Sequence, residues 1–272
     1  MSENCNHNCE SCQEECASKA HMPQKVELGA SSTVKKVFGV VSGKGGVGKS
    51  LVTSLLAVEL CRKGLSTAIL DADITGPSIP KIFGLKEKVF AGENGLIPIT
   101  SAGGIRIMSA NSLLENETDP LVWRGPLIAG TICQLWSETD WGNVDRLLVD
   151  MPPGTGDVPL TVFQSLPVDG IIVVTSPQEL VGMIVEKAIK MANIMNVPVL
   201  GIVENMSWFQ CPECGSRYSL FGESQVARVA EQFNIKTTAC IPMMPDMAKL
   251  CDQGRIEVFQ GDWLKPLLDV LQ

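Results

Sequence analysis

The stretch Ser42–Ser50, SGKGGVGKS, limits the possible folds of this chain more than any other. It follows an apolar run, KVFGVVS, and leads into a helical pattern over Ser50–Lys63 that stops at Gly64. Gly43-x4-Gly48-Lys49-Ser50 fits the P-loop pattern, and a strand before it with a helix after it is the setting that pattern requires. Gly43, Gly45, Gly46 and Gly48 let the backbone wrap closely, so that successive N–H groups, Val47 among them, turn toward phosphate oxygens. The N-terminus of the helix adds its positive dipole end. In this pattern Lys49 reaches the β- and γ-phosphates, and Ser50 ligates Mg²⁺. A loop of this kind needs a strand and a helix packed as neighbours.

The rest of the chain supplies more of both. Val/Ile/Leu-rich runs recur as TAILDAD, VDRLLVDMP, GIIVVTSP, VLGIVENM and TACIP. Such continuous apolar runs suit strands buried on both faces. Helical patterns fall between them at 126–138, 179–195 and 223–233. The alternation predicts an α/β fold, a mostly parallel twisted sheet flanked by helices. GLIPITSAGGIRIMSA reads instead as a local hairpin turning at Gly103-Gly104. Residues 1–34 are polar and cysteine-bearing and read as a flexible tail; 35–272 read as one folded domain.

Acidic residues end two of the strands. Asp71 and Asp73 close TAILDAD, and Asp150 closes RLLVD, where parallel sheets bind ligands. One of the first two has a rival role as a helix cap. The segment MPPGTGD after Asp150 is rigid at its prolines and permissive at Gly154 and Gly156; a Gly154 N–H set against a γ-phosphate would distinguish ATP from ADP. Asn205 ends another strand, and its amide can pair with adenine. No guanine-reading N-K-x-D pattern is present, so ATP is the expected nucleotide.

The chain has ten cysteines and a formal net charge of −8. The charge disfavours nucleic acid as a partner. The N-terminus is no signal peptide and no apolar run reaches membrane-spanning length, so the expected location is cytoplasmic and metal binding is favoured over disulfides. Cys61, within the first helical pattern, reads as buried and inert. Cys211 and Cys214 form a C-x-x-C loop, which supplies two of the four ligands that tetrahedral sites usually take. Cys5, Cys9, Cys12 and Cys16 put four thiols within twelve residues of the tail; a second iron–sulfur cluster, zinc or free thiols are the open readings, with His7 either a further ligand or a bystander.

GKGGVGKS resembles the deviant P-loop of the ParA/MinD and nitrogenase-iron-protein group of ATPases. In that group the lysine matching Lys44 crosses a dimer interface to the partner's nucleotide. With DADITGPS, VDMPPGTGD, VENMSWFQCPECG and IPMMPD in this order, the chain from about 36 onward is more narrowly similar to Mrp-type (ApbC-like) iron–sulfur cluster carriers. The resemblance implies a homodimer that slowly hydrolyses ATP and passes clusters from donors to apo-proteins. It also implies that Asp73 orients the attacking water, that Asp71 and Asp150 support Mg²⁺, and that IPMMPD flanks the adenine. Paired Cys211 and Cys214 from two subunits would then hold a [4Fe–4S] cluster, as a symmetric dimer allows. A shared zinc ion and a redox dithiol remain open for the same cysteines.

Rivals from other classes are a MinD/ParA-type spatial regulator, a reductase like the nitrogenase iron protein, and a zinc-bridged targeting ATPase. The C-terminal GDWLKPLLDVLQ carries one lysine and a proline, a poor match to a basic membrane-binding helix. DMPPGTGD lacks the cysteine that the reductase would need, and core packing accounts for the methionines of 183–195 better than a client groove does.

Overall fold

The computed structural model describes residues 25–73, 78–113, 125–177 and 181–272. The N-terminal cysteines and His7 lie outside the described residues, as does 74–77 within DADITGPS. In chain order the elements are β1 (Thr33–Ser42), α1 (Lys49–Arg62), β2 (Thr67–Asp71), α2 (Ser78–Ile82), β3 (Phe90–Gly92), β4 (Gly95–Ile97), β5 (Ile99–Thr100) and β6 (Arg106–Ser109). There follow α3 (Gly125–Glu138), β7 (Asn143–Asp150), α4 (Asp157–Ser165), β8 (Gly170–Thr175), α5 (Val181–Ile194), β9 (Val199–Glu204), β10 (Phe209–Gln210) and β11 (Arg217–Tyr218). The last are α6 (Val226–Gln232), β12 (Thr238–Cys240), α7 (Pro245–Asp252) and α8 (Lys265–Leu271).

Eight strands form one sheet in the order β12-β9-β8-β1-β7-β2-β6-β5, parallel throughout except at the β5–β6 edge. The expected hairpin is that edge: Ser101 N donates to Ile105 O (2.9 Å) across the glycine turn, while β6 joins β2 in parallel. The central strands are apolar on both sides because helices cover both faces. Ile132, Trp136, Phe163, Ile189 and Val229 from α3 to α6 pack on one face. Leu56, Ile79, Met247 and Leu267 from α1, α2, α7 and α8 pack on the other.

Two side-chain expectations change. Cys61 is half-buried rather than buried, its thiol donating to Gly103 O at 3.2 Å, because α1 turns it toward the hairpin edge. Among the methionines of α5 and its end, Met191 is buried and Met195 packs against the core, but Met183 stands exposed. The C-terminal segment forms α8, and its leucines face the core rather than a membrane surface. Pro266 falls in its first turn, where no intrahelical N–H is needed, and Leu267, Leu268 and Leu271 are buried. Each such leucine contributes about 1.5–3 kcal/mol of burial free energy.

Candidate functional site

β1 delivers the P-loop at the carboxyl edge of the sheet, and α1 leaves it beginning at Lys49. Gly46 and Gly48 have φ of 80° and 83°, the left-handed region that a side chain would strain. A Cβ on Gly48 would also sit 2.2 Å from Asn205 Nδ2. Asn205 is buried and donates that amide to Val47 O at 2.9 Å, so the end of β9 pins the P-loop. Around Gly45 and Gly46 there is open space, part of a cavity of about 410 Å³ bounded by Lys49, Ser50, Asp73 and Pro153 among others. Lys44 on this loop is exposed.

The acids converge on the same place. Asp71 and Asp150 are register partners at the ends of β2 and β7, and both are fully buried. Asp150 accepts hydrogen bonds from Ser50 Oγ (2.6 Å) and Thr53 Oγ1 (2.8 Å). Lys49 Nζ lies 2.8 Å from Asp150 Oδ1 and 3.5 Å from Asp73 Oδ2, yet forms no hydrogen bond among the described residues. Asp71 accepts from Ser109 Oγ (2.9 Å) and from the Asp73 N–H (3.2 Å). Burial, and then repulsion from Asp150, push the Asp71 carboxyl well above the usual carboxylate range. A divalent cation would relieve that repulsion. Two buried polar groups without a hydrogen bond line the cavity: Ser42 Oγ, and Lys49 Nζ, which has only its carboxylate ion pairs. A buried cation, a free hydroxyl, an open glycine cradle and clustered carboxylates fit a magnesium-bound polyphosphate.

Beside this cavity lies an apolar one of about 260 Å³, walled by Leu51, Met206, Met243 and Met247 with Asn205 at its edge. Its shape and lining suit a flat aromatic base. The structure therefore brings Asn205 and the IPMMPD segment to one pocket, with the Asn205 NH₂ already committed to the P-loop. Sequence reasoning missed α7, whose Cys251 and Asp252 line the cavity at the P-loop. Pro245 in its first turn hid it, since the proline read only as part of a loop. Ser42 was quoted with the loop but given no role; its signal was the alternation along β1, which sets it on the α1 side.

Cys211 and Cys214 occupy the turn of a short hairpin, β10–β11. The Cys211 N–H donates to Ser216 O and the Gly215 N–H to Cys211 O, both at 2.9 Å, and Gly215 takes φ of 72°. Cys211 is half-buried and Cys214 exposed. Cys214 Sγ lies 3.3 Å from Ser216 Oγ. Hydrogen bonds from that hydroxyl, then from the Ser216 backbone and Cys211, bring the Cys214 thiol down to about 7. Such a thiol is substantially thiolate at neutral pH, the form that binds metals. Among the described residues no group of three or more His, Cys, Asp or Glu side chains is placed to hold a metal ion. The hairpin grows from the segment that walls this apolar pocket: the Ser207 N–H donates to Ile241 O (2.9 Å), and the Met243 N–H to Trp208 O (2.7 Å). Arg217 stacks over Trp208 at 5.1 Å and braces its base.

Residues 33–265 match the ParA-group family described as the NUBPL iron-transfer P-loop NTPase. The chain belongs to that family. Relatives of this NTPase include an iron-sulfur cluster carrier protein of Clostridium perfringens, 41% identical over 263 residues that cover 93% of this chain and 92% of that one. The iron-sulfur cluster transfer protein NUBPL of Mus musculus is 41% identical over 228 residues, covering 83% and 71%. Among solved structures, a nucleotide-binding protein of Archaeoglobus fulgidus in complex with ADP is 46% identical, with a TM-score of 0.78 over 85% of this chain and 91% of its own. The cell division ATPase MinD of Pyrococcus furiosus, at 18% identity and a TM-score of 0.62 over 87% and 96%, shares the fold with this family member. Among the described residues no helix is long and apolar enough to cross a membrane.

Proposed function

We propose that this P-loop NTPase binds and slowly hydrolyses ATP as a homodimer, accepts an iron–sulfur cluster from a donor, and passes it to apo-proteins in the cytoplasm. One observation carries the reading: the exposed C-x-x-C turn is built on the same 205–211 and 241–243 segments that wall the base pocket and pin the P-loop. A shift of those segments on nucleotide exchange would move both thiols. Coupling between the two sites then follows from any difference in cluster affinity between nucleotide states. The names of the relatives point to iron–sulfur cargo.

The roles divide by position. The N–H groups of Gly43–Lys49 and the Lys49 ammonium hold the phosphates, Ser50 and Asp150 hold Mg²⁺ with support from Asp71, and Asp73 orients water. Gly154 senses the γ-phosphate, Asn205 and the 242–247 segment hold the adenine, and Lys44 reaches the partner's nucleotide. Bound MgATP supplies the phosphoryl group whose loss resets the state. Cys211 and Cys214 of each copy together give the four thiolates of a shared [4Fe–4S] cluster. The expected boundary at 34/35 moves toward the N-terminus, because Val26 O accepts from Trp136 Nε1 (2.9 Å), Leu28 packs against the core and β1 begins at Thr33. Only the cysteine-bearing residues ahead of 25 act as an appendage of the NTPase body. Their four cysteines form a second cluster site, a reading that rests on thiol count alone. Against a membrane-acting regulator stands α8, whose leucines are committed to the core.

Anaerobic reconstitution followed by iron, sulfide and zinc analysis tests the cargo, and transfer to an apo-ferredoxin tests the activity. Wild type is expected to carry iron with acid-labile sulfide and to transfer it; Cys211→Ala loses the cluster, and Lys49→Ala loses the nucleotide dependence. Zinc without sulfide would favour the zinc-bridged ATPase instead. Equal transfer by all three proteins would end the proposal.

A further inference from the structure

Ser42 closes β1, is 1% exposed, and its hydroxyl has no hydrogen-bond partner among the described residues. A buried hydroxyl left unpaired is a cost that a bound ligand can remove. Its direction follows from strand alternation. Val40, two residues earlier, packs into the core on the α1 side and is the register partner of Asp150. Ser42 therefore stands one pleat beyond Asp150 on the same face, and it lines the phosphate cavity together with Lys49, Asp73 and Pro153. The Ser42 carbonyl is engaged as well: it accepts the Gly154 N–H at 2.8 Å.

We infer that Ser42 is a binding residue for the terminal phosphate of the nucleotide, its hydroxyl donating to a phosphate oxygen as its carbonyl releases the Gly154 N–H to the same group. The inference rests on the nucleotide reading above and deepens it. The inner phosphates are surrounded by the loop N–H groups and the start of α1. Ser42 lines the cavity together with Asp73 and Pro153, and its carbonyl holds the loop that carries Gly154. For Gly154 to meet a γ-phosphate it must leave Ser42 O, and one residue thus offers a donor to that phosphate and frees a second. ADP has no group at this place, so with ADP the hydroxyl stays unpaired and the Gly154 bond stays closed. Ser42 is in this way a device for telling the two nucleotides apart.

Equilibrium binding of MgADP and of a magnesium-bound, non-hydrolysable imido analogue of ATP to the full chain tests this, using wild type, Ser42→Ala, Ser42→Thr and Lys49→Ala. Ser42→Ala is expected to weaken the ATP analogue by about tenfold or more, as loss of a hydrogen bond to a charged oxygen implies, while leaving ADP within about twofold. Unchanged ADP binding shows that the variant is folded, and Ser42→Thr, which keeps the hydroxyl, restores the analogue. Ser42→Ala binding both ligands like wild type, with Lys49→Ala impaired, would overturn this inference alone. Equal loss of both ligands would also overturn it, since the discrimination would be gone. Wild type binding neither ligand would bring down the nucleotide reading and this inference with it.

Discussion

At the scale of single residues, the site is a set of groups held in costly states that a ligand would relieve. Lys49 is buried with charge partners but no hydrogen bond, Ser42 is unpaired, and Asp71 faces Asp150 with its carboxyl pushed toward the neutral form. Cys214 is the opposite case: exposed, and held near 7 by Ser216. The sign is that of a group whose ionised form is hydrogen-bonded, so the thiolate grows in through pH 7 instead of near 9.0. The rate of Cys214 alkylation by iodoacetamide, followed by peptide mass spectrometry, should therefore rise with a midpoint near 7. In Ser216→Ala the midpoint should move upward and the rate at pH 7 should fall severalfold. An unchanged profile would show that Ser216 does not set the acidity. Cluster or metal binding by this loop should likewise weaken as pH falls below 7, since protons compete for the sulfur.

At the scale of elements, the strand–loop–helix unit around the P-loop was legible because two independent signals coincide there, apolar continuity before the glycines and helical periodicity after them. The strand runs were placed correctly, but their predicted ends ran past the observed ones: β2 stops at Asp71 and β7 at Asp150, where the chain leaves the ladder to build the site. Hydrophobicity continues through Ala72 and Met151 and so hides that exit. Helices α4, α7 and α8 were not legible, each with a proline in its opening turn. Short pairs such as β10–β11 depend on a turn that pattern reading cannot date to a register. Least legible was the docking of α2 on α7. Gly84 and Gly254, with φ of 69° and 66°, meet backbone to backbone, so that a Cβ on Gly254 would sit 2.2 Å from Gly84 Cα. Gly254→Ala should cost about 1–3 kcal/mol through overpacking and lower the thermal unfolding midpoint by several degrees. Because α7 walls the phosphate cavity, its nucleotide affinity should fall too. A melting curve that overlays wild type would show that the two helix ends are free to separate.

At the scale of the whole molecule, the C-x-x-C turn is open toward something outside the chain. It offers two thiols where a cluster takes four, and exposed Tyr218, Leu220 and Phe221 follow it in the chain. Lys44 is exposed on the P-loop. A two-fold pairing of identical chains would complete the inorganic centre and bring Lys44 to a second nucleotide. Native mass spectrometry of the anaerobically reconstituted, ATP-loaded protein tests this most directly. The account predicts a species of two chains carrying one bridging [4Fe–4S] cluster, lost in Cys211→Ala and Cys214→Ala. A single chain that retains a cluster of its own through Cys211 and Cys214 would contradict it.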